Sequence, residues 1–150
     1  MPAPSSPAPS VPAAGASDPA AQDWLAGASP RVQAMCADLR ARLFAFDPGV
    51  SARISPRYNQ RCCSFLLDCR SFVHAVPLGA RLRLLLILRR GDLEDPDGIA
   101  RCTAGRTSHG RSEWQIDVFD GRDLERAMPL IRQAFEVAKA LVAGLPKRMA

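Results

Sequence analysis

Three apolar, strand-length runs stand almost end to end in the middle of the chain: Cys62–Leu67, Ser71–Pro77 and Arg81–Arg89. Only Asp68-Cys69-Arg70 and Leu78-Gly79-Ala80 separate them. A parallel crossover needs a dozen or more residues, whereas an antiparallel pair closes over two or three. The runs therefore predict an antiparallel meander, which excludes a parallel α/β architecture for this part of the chain. In the third run Leu82, Leu84, Leu86 and Leu88 share one face, and Arg81, Arg83, Leu85, Ile87 and Arg89 share the other. The leucine face belongs to a core. The arginines flank what would otherwise be an aggregation-prone strand.

Helical patterns bracket the meander. Ser29-Pro30 has the chemistry of a helix start, a capping hydroxyl followed by a proline that gives up no needed donor. Val32, Met35, Cys36, Leu39, Leu43 and Phe46 then form one stripe, with Asp38 and Arg42 placed for an i,i+4 pair off it. Asp47-Pro48-Gly49 stops this helix, and Trp24-Leu25 folds back over the core edge. Near the other end Asp120 caps a second helix with Asp123 at the capping-box position. Its stripe is Leu124, Met128, Ile131, Phe135, Ala138 and Val142, and Pro129 within it predicts a bend or break at Met128. Gly144-Leu145-Pro146 ends it.

Between these landmarks Val50–Ile54 reads as a short strand and Arg57-Tyr58-Asn59-Gln60-Arg61 as a polar connection. Trp114, Ile116 and Val118 alternate with Gln115, Asp117 and Phe119, which predicts another half-buried strand. Gly91 to Arg111 has no clear periodicity, and long segments of that kind are often functional. Asp95–Ala100 could supply one helical turn within it, capped by Asp95. The expectation is an α+β fold: an antiparallel sheet of four to five strands in a meander, with an N-terminal and a C-terminal helix packed on one face. The second face is then at least partly open.

Six of the 13 prolines fall before residue 20, in a Pro/Ala/Ser-rich stretch whose only charge is Asp18. That composition offers nothing to bury, so residues 1–22 read as a disordered tail and 23–150 as a single domain. No apolar run nears the roughly 18 residues that span a bilayer, and no cationic, hydrophobic leader opens the chain. Five cysteines, an odd number, read as reduced thiols in the cytoplasm. The net charge is +5, and 18 of the 20 cations are arginine, which suits bidentate contact with carboxylate or phosphate.

The order helix, meander, Leu93-Glu94-Asp95-Pro96-Asp97-Gly98-Ile99-Ala100-Arg101, glycine-containing loop with His109, strand, and Leu130-Ile131-Arg132-Gln133-Ala134-Phe135-Glu136 resembles the family known as domain of unknown function 5655. The likeness spans roughly residues 30–140. In the loop this chain has Ser108-His109-Gly110-Arg111-Ser112-Glu113 where the family often has His-Trp-Gly-x-Gly-Asp. The resemblance implies a small α+β module, standing alone or riding on a larger bacterial protein, and no defined chemistry.

The candidate constellations are few. Cys62, Cys63 and Cys69 lack zinc-knuckle spacing, and Cys62 and Cys63 face opposite sides of a strand; they read as structural thiols. His74 reads as an ordinary strand histidine, and a Cys102–His109 pair has no evident third partner. Asp92, Glu94, Asp95 and Asp97 lack the spacing of a calcium loop. No phosphate-cradling glycine motif occurs, so neither metal nor cofactor is implied. The leading reading is a non-catalytic binding module that uses the open sheet face and the 91–111 loop for an anionic or nucleic-acid partner. Arg83, Arg101, Arg106, His109 and Arg111 would meet the anion and Tyr58 would supply a stacking ring. An enzyme with its site at the same loop, and a domain that dimerises through its sheet, are the rival readings.

Overall fold

The computed structural model describes residues 24–49, 53–58, 62–103 and 114–144. Helix α1 covers Pro30–Phe44; strands follow at Ile54–Tyr58 (β1), Cys63–Leu67 (β2), Arg70–Leu78 (β3), Arg81–Leu86 (β4), Arg101–Cys102 (β5) and Trp114–Val118 (β6); helix α2 covers Gly121–Ala143. The strands form one sheet in the order β1-β2-β3-β4-β6-β5, and every pairing is antiparallel.

The meander is present as β2-β3-β4. Each hairpin turns on two residues whose first has positive φ, Asp68 at 56° and Gly79 at 50°. Asp68 is held in that unusual conformation by Arg53. The Arg53 guanidinium donates to both carboxylate oxygens of Asp68, and the Asp68 amide donates to the Arg53 carbonyl at 2.9 Å.

Two corrections concern strand count and position. The sheet has six strands, not four to five. The sixth, β5, is two residues long, too short to leave any periodicity in the sequence. The first strand runs over Ile54–Tyr58, through residues that look like a polar connection. It is an edge strand, where Pro56 can be tolerated because one side of the ladder is unused. Val50, Asn59, Gln60 and Arg61 lie outside the described residues.

Ser29 caps α1 by accepting from the Val32 amide at 3.2 Å, and Pro30 opens the helix. The buried stripe is Val32, Met35, Cys36, Leu39 and Leu43, and Arg42 pairs with Asp38 at 3.0 Å. At α2 the caps are reciprocal: Asp120 accepts from the Asp123 amide at 2.8 Å, and Asp123 accepts from the Phe119 amide at 3.0 Å. The helix does not break at Met128 but runs unbroken through Pro129. Pro129 is exposed, so the Glu125 carbonyl that loses its partner can face water.

The buried residues of both helices join Leu82, Leu84, Leu86, Leu88, Ile116 and Val118 in a single hydrophobic cluster. A bulge in β3 contributes to it. Phe65 pairs with Val73 but Leu66 pairs with Ser71, so Phe72 is an extra residue. Phe72 is fully buried and meets the Phe135 ring edge-on at 5.5 Å. Full burial of such a ring contributes about 1.5–3 kcal/mol. Trp24 is buried as well and packs against Tyr58 at 6.0 Å.

The second face of the sheet is less open than alternation alone implies. Leu85, Leu66 and Ser64 are all buried there. Polar residues on this face include Arg57, Ser64 and His74 on β1 to β3 and Arg83, Gln115 and Asp117 on β4 and β6.

The described part of the segment after β4 is anchored around Glu94 and Asp95. Asp95 accepts from the Ile99 and Ala100 amides at 3.1 and 2.8 Å, closing a β-turn in which Gly98 has φ of 64°. Asp95 thus acts as a cap, though over a turn instead of a helix. The Gln133 side chain of α2 then grips the Glu94 backbone twice, accepting from its amide and donating to its carbonyl, each at 2.8 Å.

Candidate anion-binding site

The register builds a charged cluster from residues distant in sequence. Arg83 lies opposite Asp117 across β4 and β6, and Arg101 lies opposite Gln115 across β5 and β6. Each of Arg83, Gln115 and Asp117 alternates with a core residue, so all three project from the face turned away from the leucines.

Asp117 is the hub. Arg83 Nε donates to its Oδ1 at 2.9 Å, Arg101 Nη2 to its Oδ2 at 3.4 Å, and Arg81 Nε lies 3.8 Å from Oδ2. With its amide oxygen toward the arginines, Gln115 accepts from Arg83 Nε at 3.1 Å and Arg101 Nη2 at 2.8 Å. The Asp117 side chain is only 16% exposed, whereas that of Arg101 is 71% exposed. The carboxylate therefore sits beneath the cations. Three guanidiniums against one carboxylate leave a formal surplus of two positive charges. Asp117 and Gln115 occupy only one nitrogen each of Arg83 and Arg101. A guanidinium carries five N–H donors in a fixed fork. The cluster is thus a set of pre-oriented donors with capacity left for a ligand.

Phe119 completes the surface. It is 47% exposed, and the Arg81 guanidinium carbon lies 5.9 Å from its ring centroid. Its backbone amide is fixed by Asp123, so the ring sits at a capped junction of β6 and α2.

Of the residues singled out in the sequence, Arg83 and Arg101 come together here. Tyr58 does not join them: its place in β1, opposite Cys63, puts it with the core face, where its hydroxyl accepts from Arg40 Nη1 at 2.7 Å. Arg106, His109 and Arg111 lie outside the described residues. Sequence reasoning missed Arg81, Gln115, Asp117 and Phe119 as one group. The alternation of β4 and β6 already placed them on one face; what it lacked was the β4-β6 pairing that makes them neighbours.

Elsewhere the reactive side chains have structural settings. Burial pushes the Cys36 and Cys63 thiols up to about 12, which suits inert core positions. Cys69 and Cys102 are exposed. On the second face Ser64 Oγ and His74 Nδ1 share a hydrogen bond. Among the described residues no group of three or more His, Cys, Asp or Glu could hold a metal ion, and no helix is long and apolar enough to cross a membrane.

Comparisons with protein-family models, with curated proteins and with solved structures returned no match, so the functional reading rests on this cluster.

Proposed function

We propose that this chain is a non-catalytic cytoplasmic binding module for a polyanionic partner. In this reading both helices cover one side of the sheet and leave the β4-β6-β5 end of the other side to the ligand. The observation that carries it is the convergence of Arg81, Arg83 and Arg101 on one recessed carboxylate, with positive charge in surplus. Fixed guanidiniums suit phosphate or carboxylate oxygens, because the fork is already oriented and little entropy is lost per bond formed. The described part of the segment that follows β4 is clamped near its start by Gln133 and ends in β5, which carries Arg101 to this surface. We assign the chain's kinship, within the same proposal, to the domain of unknown function 5655, on the order of elements and the Asp95-Pro96 turn.

The test is a titration of the full chain against heparin at several salt concentrations. The expected result is binding whose logarithm falls linearly with the logarithm of salt. Replacing Arg83 and Arg101 together by glutamine should weaken it and flatten the slope by about one to two. Absence of association even at low salt would reject the reading.

A further inference from the structure

The surface holds more than charge. Phe119 is a large aromatic side chain that the core does not use, standing beside Arg81, one of the three arginines gathered on Asp117. A purely anionic ligand, such as a polyphosphate, would have no use for an aromatic ring. A duplex presents base edges in its grooves and hides the base faces in the stack. A single strand offers both features at once: a charged backbone and open base faces. Stacking on an aromatic ring beside cationic groups is the general solution for holding such a strand without reading its sequence.

We infer that the ligand of this face is single-stranded nucleic acid, with a base stacked on Phe119 and its backbone phosphates on Arg81, Arg83 and Arg101. The inference rests on the polyanion-binding reading above and narrows it. Arg81 links the two parts, because its guanidinium lies near both the ring and the Asp117 carboxylate. Asp117 sets the geometry and repels any phosphate that penetrates too deeply, which keeps the backbone at the level of the exposed Arg101.

The experiment compares four probes on the full chain by fluorescence anisotropy: a single-stranded oligonucleotide of about ten nucleotides, an abasic strand of equal length, the corresponding duplex, and inorganic polyphosphate as competitor. The base-bearing single strand should bind most tightly. Phe119→Ala should weaken that strand about tenfold or more and leave the abasic strand and polyphosphate unchanged. Phe119→Trp should restore the preference. Both variants keep the backbone amide that Asp123 holds, and the ring is outside the core cluster. Equal affinity for base-bearing and abasic strands, tighter binding of the duplex, or no effect of Phe119→Ala would overturn the inference while leaving polyanion binding intact. Failure of every probe, polyphosphate included, would remove the polyanion reading itself.

Discussion

Asp47 and Lys139 show how one contact can tie the two helices together. Lys139 Nζ donates to Asp47 Oδ2 at 2.6 Å, joining the end of α1 to the last turns of α2 across 92 residues of sequence. The bond to Lys139 and a second from the Gly49 amide hold the Asp47 carboxyl below its ordinary 3.8. The same bond holds the Lys139 ammonium above 10.5. A depressed carboxylate stabilises the fold above its unfolded pKa and loses that contribution as the pH falls through the folded value. A raised ammonium does the reverse, losing its contribution as the pH rises through its folded value. The stability difference between the wild type and Asp47→Asn should therefore form a plateau across neutral pH and shrink at both extremes. Urea unfolding midpoints at a series of pH values measure it, and a difference that stays constant into strong acid would contradict the assignment. Local contacts such as Ser29 to Val32, Asp38 to Arg42 and Asp120 to Asp123 were legible from spacing, because helix geometry fixes which neighbours meet. Asp47 with Lys139, and Gln133 with Glu94, were not, because no local rule relates positions that only the finished fold brings together.

The elements were readable wherever their periodicity was long enough to express itself. The leucines of β4 and the stripe of α1 lie where their spacing puts them. β5 escapes because two residues have no period, and β1 because an edge strand needs little apolar character. Pro129 sets a local rule against tertiary burial. The proline argues for a bend or a break, and the break does not occur: Leu124 and Ala127 before it, and Leu130, Ile131, Ala134 and Phe135 after it, are buried along one continuous helix. Tertiary burial outweighs the local cost. That cost, of order 3 kcal/mol for proline in a helix interior, remains in the native state. Pro129→Ala restores an amide that can bond to the Glu125 carbonyl, and the exposed side chain has no packing to lose. The substitution should stabilise the protein by about 1–3 kcal/mol, read as a raised denaturant midpoint at unchanged slope. A neutral or destabilising outcome would mean that the proline serves a geometry the core requires.

At the scale of the molecule, the sheet order decides which charges meet. Crossing from β4 to β6 places Asp117 beside Arg83, 34 positions earlier in the chain, and the addition of β5 brings in Arg101. The core face and an amphipathic second face were legible from alternation; the composition of the charged cluster depended on a strand order that the sequence does not encode locally. This arrangement sets stability against binding. Asp117 is largely covered, and its carboxylate offsets the mutual repulsion of three guanidiniums that the register forces together. Hydrogen bonds to a charged group of this kind contribute about 1.5–3 kcal/mol. Asp117→Asn keeps the shape and one acceptor oxygen but removes the charge. It should lower stability by about 1–3 kcal/mol, most visibly at low salt, where the arginines repel most strongly. The same change raises the local surplus of positive charge by one, so heparin or a single-stranded oligonucleotide should bind more tightly and with a steeper salt dependence. Opposite shifts of melting temperature and affinity in one variant would show that the carboxylate organises the cations at the expense of their attraction for a ligand. A loss of both would instead make Asp117 necessary to the binding geometry itself, and a loss of neither would leave the cluster without a role.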